Sequence, residues 1–298
     1  MKNTFNLPCF AALLAVGASA VVADPIPPIV GHYPAGAEGI KAASLPPPGF
    51  YFRDYNFGYF ANELPGGPRD FSVDAYIQAP RLIWISDWKI LGANYGADLI
   101  VPFGWQQIKI GPSTDRIVHR DFGLGDIQIA PVLLAWHGKQ WDAAFGYAWW
   151  APSGDYSTAN PASIGKGFWS QMFTFGGTYY FDPEKTWAVS LLNRYEFNQP
   201  NQDLNYRPGQ ILTMEWGLSK SLTKTIDVGL IGYYQQQTTD DSGANVTKLH
   251  AHVVGVGPEI SAVCTKLGVI ASLRYVREIE AAYRPEGNLL TLTLTKRL

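Results

Sequence analysis

The sequence predicts an all-β protein: an antiparallel transmembrane β-barrel of about 12 strands, within a range of about 10–14, with short periplasmic turns and longer extracellular loops. Three observations lead to this fold class. Apolar and polar residues alternate along many segments, and the gaps between those segments are short and long in turn. After the N-terminal region, no segment is apolar over the length that a membrane-spanning helix requires.

The alternation is clearest over residues 186–199, TWAVSLLNRYEFNQ. One parity carries Trp187 and Leu191, and the other carries Arg194 and Glu196. A β-strand sends alternate side chains to opposite faces, so one face of this segment is apolar and the other is polar and charged. In a membrane barrel the apolar face meets lipid, and we therefore predict that the charged face lines the lumen.

The composition agrees with a membrane barrel. Hydrophobic residues make up 47% of the 298-residue chain and charged residues only 16%, a low share for a soluble domain. Aromatic residues reach 14%, as expected where rings lie at membrane–water boundaries. A formal net charge of −2 gives no basic surface for nucleic acid, so that class of partner is excluded.

A spanning helix is not predicted in the mature chain. The longest stretch without Asp, Glu, Lys or Arg after the N-terminal region is 167–181, which has 15 residues and contains Ser, Gln, Gly and Thr. A spanning helix needs about 20 apolar residues. Only helices and closed barrels satisfy their backbone in lipid, so a barrel is the remaining membrane fold.

The spacing of the segments gives the strand count. We predict twelve strands, near 50–61, 71–86, 89–110, 124–137, 140–151, 168–181, 186–198, 210–220, 225–239, 247–264, 267–281 and 288–298. Tight turns alternate with longer gaps, which fall at 61–70, 111–123, 152–167, 199–209 and 240–246. Short turns on one side and long loops on the other are typical of outer-membrane barrels.

The N-terminus predicts export. In residues 1–23, Lys2 precedes an apolar run, and small residues before position 24 suit a signal peptidase. An uncleaved membrane anchor is the alternative. Residues 24–49 form a Pro-rich segment, and residues 50–298 form the barrel. Cleavage after Ala23 removes Cys9 and leaves Cys264 alone, so no internal disulfide is expected.

Charged residues on the polar parity are the predicted lumen residues. They either select the solute or pair across neighbouring strands to hold the barrel, and pairing is favoured because both signs occur. The predicted lumen-lining residues are Arg194, Glu196, Glu215, Asp227, Arg274 and Glu278.

The Pro-rich segment is a candidate plug. Pro46, Pro47 and Pro48 fix an extended backbone, so they form either a gate or a stiff connection to the first strand. Residues 32–44 are a modest helix candidate that either enters the lumen or remains a periplasmic tail. The nearby rings of Phe57, Tyr59 and Phe60 are candidates for an apolar solute path.

The sequence offers little support for chemistry. It contains no GxSxG motif, and Ser153 has no identifiable partner His. His250 and His252 share a strand face without an evident third ligand, so we predict no metal. No enzyme activity and no cofactor are expected.

Several stretches resemble one family of exported proteins, named for the meta-cleavage pathway of phenol degradation. They are HYPAGAEGI, LPPPGFYFRDYNFGYF, GLGDIQIAPVLLAW, WWAPSGDYS, GFWSQMFTFGGTYYFD, VGLIGYYQQQTTDDSGAN, VGVGPEI and REIEAAYRPEGNLL. The resemblance covers nearly the whole mature chain. It implies a barrel in the outer membrane of a Gram-negative bacterium that passes small hydrophobic, and in some cases aromatic, compounds, as long-chain fatty-acid channels do.

The expected partners follow from that resemblance: outer-membrane lipid, a small hydrophobic solute, and the barrel-assembly machinery during biogenesis. Two other functions stay open at this point. One is a structural or adhesion barrel that acts through its extracellular loops, and the other is an outer-membrane enzyme that modifies lipid.

Overall fold

The computed structural model describes residues 31–201, 203–243, 246 and 248–298. The predicted signal peptide, 1–23, lies outside these residues. The strands are β1 (Gly49–Glu63), β2 (Ser72–Ile90), β3 (Ala93–Ile100), β4 (Phe103–Ile110), β5 (Ile117–Leu124), β6 (Ile127–His137), β7 (Trp141–Ala151), β8 (Ser170–Tyr180), β9 (Trp187–Asn198), β10 (Tyr206–Arg207), β11 (Ile211–Ser221), β12 (Ile226–Gln237), β13 (Ser242–Gly243), β14 (His252–Cys264), β15 (Val269–Ala282) and β16 (Glu286–Arg297).

In the described ranges, no helix has the length and apolar character needed to cross a membrane.

The strands close into a ring of twelve antiparallel positions, as predicted. β1 pairs with both β2 and β16, which joins the first and last strands. β3 and β4 follow one another along the long strand β2 and share one position of the ring. β5 and β6 share the next position in the same way. The short pair β10–β13 lies outside the wall.

The alternation of side chains explains why the sequence forms this wall. In β9, Leu191 is 43% exposed on the outside of the ring, whereas Leu192 is 2% exposed on the inside. β16 shows the same pattern, with Leu290, Leu292 and Leu294 outside and Thr291, Thr293 and Thr295 inside. The exterior is therefore apolar and suited to lipid, and the lumen carries most of the polar and charged side chains.

The connections differ at the two ends of the ring. Short connections at what we call the turn end include Leu91–Gly92, where both residues have a positive φ, as tight hairpin turns require. The turn that the sequence predicts between the strands at 71–86 and 89–110 is therefore wrong by a few residues, because β2 continues to Ile90. The longer connections lie at the loop end, with 283–285 as a short exception.

Two neighbouring positions of the ring, β3–β4 and β5–β6, are each interrupted at the same level of the barrel. Pro102 has no N–H to donate, and it separates β3 from β4. Gly125 donates to the Pro102 carbonyl at 2.8 Å beside the break between β5 and β6. The sequence prediction missed β5 and treated residues 117–123 as loop. The loop after β7 contacts the free edge of β5 at two points: Asp155 donates its N–H to the Leu124 carbonyl at 2.8 Å, and the Asn160 side-chain amide donates to the Arg120 carbonyl at 3.2 Å.

Candidate functional site

Residues 31–48, which we call the N-terminal segment, lie inside the ring of strands. The segment begins at the loop end, where His32 contacts Glu196 near the end of β9. It leaves at the turn end, where Pro48 precedes β1. The predicted helix over 32–44 is wrong: the segment contains turns only, such as the one closed by Ser44 N–H donating to the Lys41 carbonyl. Its backbone N–H groups therefore need partners on the wall.

Wall glutamates supply those partners. Glu196 accepts the N–H of His32 at 2.8 Å, and Glu215 accepts the N–H groups of Gly36 and Glu38 at 3.0 and 3.1 Å. A third glutamate, Glu259, accepts the N–H of Ile40 at 2.6 Å and lies directly against Gly39, where any Cβ would overlap its carboxylate. Hydrogen bonds to ionised acceptors are the stronger kind, so the segment is held firmly.

His32 anchors the part of the segment that lies nearest the loop end. Its Nδ1 lies 2.9 Å from Glu196 Oε1, and its Nε2 lies 3.0 Å from Asp126 Oδ2. Burial lowers the pKa of His32, but the hydrogen bonds to these two carboxylates outweigh it and raise the pKa above 6.5. The Trp150 ring stacks on the imidazole at 5.5 Å between centroids. A protonated imidazole donates to both carboxylates at once.

Glu38 lies among arginines in the half of the lumen nearest the turn end. Its carboxylate is 3.3 Å from Arg53, 3.2 Å from Arg81 and 3.7 Å from Arg194, and it accepts the Tyr55 hydroxyl at 2.9 Å. Burial raises the pKa of Glu38, but the arginines outweigh burial and lower the pKa from 4.5 to about 2. We call these three arginines the arginine cage.

The predicted lumen residues all face inward, and most of them contact the N-terminal segment. Arg194 pairs with Glu215 on the adjacent strand, while Asp227 binds Lys41 of the segment at 2.6 Å. Arg274 donates to the Thr293 hydroxyl at 2.6 Å.

Glu278 contacts the wall. It accepts the hydroxyls of Tyr59 and Tyr233 at 2.6 and 2.9 Å. It also accepts the N–H of Gly287 at 2.7 Å and lies 3.6 Å from Arg284.

The predicted plug and path residues separate into two groups. Phe57 and Tyr59 face the lumen. Phe60 is 50% exposed on the outside, because it has the opposite strand parity, so it cannot join them on an inner path. Pro47 and Pro48 lie at the turn end, where their carbonyls accept hydrogen bonds from Tyr51 and Arg297. Pro46 lies with them at the turn end, on the chain leading into β1.

A cavity of about 680 Å³ remains beside the N-terminal segment. Toward the loop end most of its apolar wall comes from β1, β2 and β4, while Gln106, Glu278 and Arg284 are polar residues that line this end. The side chains of the apolar wall are Phe57, Tyr59, Phe71, Val73, Ile77, Ile100 and Ile108. Toward the turn end the same cavity reaches the arginine cage, so its two ends differ in chemistry.

Sequence reasoning missed two residues of the segment, His32 and Glu38, and two of their partners on the wall, Arg53 and Arg81. Arg53 and Arg81 have the inward parity of their strands, so phasing β1 and β2 would have found them. Glu38 and His32 lie in a segment without periodicity, and no sequence signal identifies their partners, which lie 15 to 164 residues away along the chain.

The fold is similar to several solved structures. One is an outer membrane channel from Pseudomonas putida F1, with a TM-score of 0.76 and 13% identity, covering 86% of this chain and 97% of that chain. The KdgM porin has a TM-score of 0.46 and 8% identity, covering 83% and 99%. The translocator domain of the autotransporter NalP from Neisseria meningitidis has a TM-score of 0.49 and 11% identity, covering 87% and 91%.

A search of the curated proteins finds no match. A family match does cover most of the barrel, from residue 53 to residue 294. The chain therefore belongs to the family described as "Putative MetA-pathway of phenol degradation".

Proposed function

We propose that the protein is an outer-membrane passage for small hydrophobic compounds, with the N-terminal segment as a plug that moves during passage. The observation that carries this proposal is the cavity beside the segment. Its wall toward the loop end is mostly apolar, and its volume of about 680 Å³ lies within the range of about 300–1,000 Å³ that small-molecule sites occupy. No covalent step is needed for this function.

The polar groups of the lumen are already paired, and this favours hydrophobic over hydrophilic solutes. The wall carboxylates and arginines are engaged with each other or with the N-terminal segment, so they offer few open ligands to a hydrated solute. On the face of β1, β2 and β4, the side chains of Phe57, Ile77 and Ile108 carry no polar group and are free to contact an apolar molecule. In this proposal the loop end faces the exterior and the turn end faces the periplasm, after export with a cleaved signal peptide.

The test measures uptake of naphthalene and of its carboxylate, 1-naphthoate, into vesicles whose outer leaflet contains lipopolysaccharide, because that leaflet is the barrier the proposal addresses. Ala42 and Ser190 are the positions chosen for a disulfide tether, because the Ala42 N–H donates to Ser190 Oγ at 3.3 Å. The double variant Ala42→Cys and Ser190→Cys, with Cys264→Ser, should accelerate uptake when reduced and slow it when oxidised.

Each outcome has a definite reading. Uptake no faster than in protein-free vesicles would overturn the passage. Equal acceleration in the oxidised and reduced forms would show that the segment does not move and that the cavity alone is the route. The single variant Ala42→Cys is the control for the oxidant.

A further inference from the structure

We propose that the arginine cage is a binding site for the carboxylate of the transported solute, and that Glu38 occupies this site until the solute replaces it. The solute class is then a carboxylate attached to an apolar body. This inference rests on the proposed passage function and names the substrate that the passage takes. Four observations carry it.

The first observation is a pair of like charges on adjacent strands. Arg53 of β1 and Arg81 of β2 are direct partners in the register, and both point into the lumen. Like charges directly opposite one another destabilise a sheet. An anion between them removes the repulsion, and guanidinium groups match the geometry of a carboxylate. This part of the wall is therefore built to hold an anion.

The second observation is that the anion in place comes from outside the wall. Arg53 and Arg81 each direct Nη1 at the Glu38 carboxylate and at the Tyr55 hydroxyl. Glu38 belongs to the N-terminal segment, which enters no strand. Arg81 also pairs with Asp98 and Arg194 with Glu215, but Glu38 is the carboxylate that contacts Arg53 among the described residues. Withdrawal of the segment leaves positive charge that needs an anion.

The third observation is spare donor capacity next to the cage. Arg274 is 3% exposed and lines the same cavity, and its Nε meets no hydrogen-bond partner in the described part of the chain. Its positive charge also helps to lower the pKa of Glu38, so it acts on the same position. A buried donor without a partner is costly, and a ligand oxygen would satisfy it.

The fourth observation is the apolar wall that continues from the cage toward the loop end. Successive inward pairs of β1 and β2 above Arg53 and Arg81 lack charge. They are Tyr55 with Ala79, Phe57 with Ile77, Tyr59 with Ala75, and Ala61 with Val73. From Arg81 to Val73 the strand covers about 26 Å at about 3.3 Å per residue. A molecule with its carboxylate in the cage can therefore lay an apolar body along this wall.

These four observations define an exchange. The carboxylate of the solute replaces that of Glu38, so the arginines are neutralised before and after the exchange. The loss of Glu38 from the cage weakens the hold on the N-terminal segment, because it removes the contacts with Arg53, Arg81 and Arg194. His32 and Lys41 keep their carboxylate partners on the wall. Binding of the solute carboxylate and release of Glu38 from the cage are then the same event.

The experiment measures equilibrium binding of decanoate, decan-1-ol and decylamine to the full mature chain in lipid nanodiscs, with empty nanodiscs subtracted. The three probes share an apolar chain and differ in head-group charge. Wild type should prefer decanoate to the other two. Glu38→Gln removes the internal competitor and should bind decanoate at least tenfold more tightly, with decan-1-ol unchanged. Asp241→Asn removes a buried carboxylate that does not line the cavity and should bind as wild type does.

A second variant keeps the test decisive. Glu38→Gln combined with Arg53→Gln should lose at least tenfold of the preference for decanoate over decan-1-ol, while its heat-modifiable migration reports an intact barrel. The proposal is overturned by unchanged decanoate affinity in Glu38→Gln, or by an unchanged preference in the double variant. Uptake of naphthalene or of 1-naphthoate that persists in either case leaves the passage function standing, whereas decanoate binding without uptake of either compound overturns the passage and leaves the site.

Discussion

The variant Glu215→Gln tests whether wall carboxylates hold the plug. Glu215 accepts the Tyr33 hydroxyl at 2.7 Å and the N–H groups of Gly36 and Glu38 at 3.0 and 3.1 Å. All three donors belong to the N-terminal segment. The substitution keeps the shape of the side chain and removes its negative charge.

The magnitude follows from those three bonds. Hydrogen bonds to charged groups contribute about 1.5–3 kcal/mol and neutral ones about 0.5–1.5 kcal/mol, so each bond loses about 1 kcal/mol. The pair of Arg194 with Glu215 lies within the wall and exists whether or not the segment is docked, so it does not enter the docking balance. Docking should weaken by about 3 kcal/mol, which raises the undocked population about a hundredfold.

The assay is single-channel current of the refolded mature chain in a planar bilayer. Open events should be about a hundredfold more frequent in Glu215→Gln than in wild type. The matched control is Glu278→Gln, because Glu278 is equally buried in the lumen and its partners belong to the barrel. That control should lower thermal stability without opening the channel. Equal opening in both variants, or in neither, would refute the assignment of Glu215 to plug docking.

Three further predictions concern other parts of the molecule. Docking of the segment should be strongest between about pH 4.5 and 6.5. Because docking raises the pKa of His32, His32 stabilises the docked state below pH 6.5, and this stabilisation is lost as the pH rises through the raised pKa. Because docking lowers the pKa of Glu38, Glu38 stabilises the docked state above pH 4.5, and this stabilisation is lost as the pH falls toward about 2. Open frequency across a pH series checks this, and a minimum outside that window would contradict it. Gly39→Ala should open the channel because the added Cβ meets the Glu259 carboxylate, while Gly177→Ala, whose Cβ would lie 3.5 Å from its nearest neighbour, should not. Leu191→Arg should lower the free energy of unfolding in vesicles by about 2–4 kcal/mol, and no loss would place this face away from lipid.

Much of the wall was predictable because its signal is local. Strand parity depends only on the backbone, so the inward direction of Arg194 and Glu196 follows from the alternation with Trp187 and Leu191. The inward direction of Glu215 follows in the same way from its neighbour Trp216, which faces outward. The strand count also followed from turn and loop spacing. The missed strand β5 lies where Gly125 and Asp126 interrupt the pattern, so that residues 117–123 read as part of a loop.

By itself the sequence determined the class of fold, the phase of most strands and the family resemblance, because these depend on short-range periodicity and on local motifs. Only the tertiary structure decided what the lumen charges bind. Glu38 meets Arg53, Arg81 and Arg194 because a segment without regular structure threads a closed ring, and contacts made across a lumen leave no periodic trace in the chain. The plug contacts and the arginine cage therefore depended on the closed barrel.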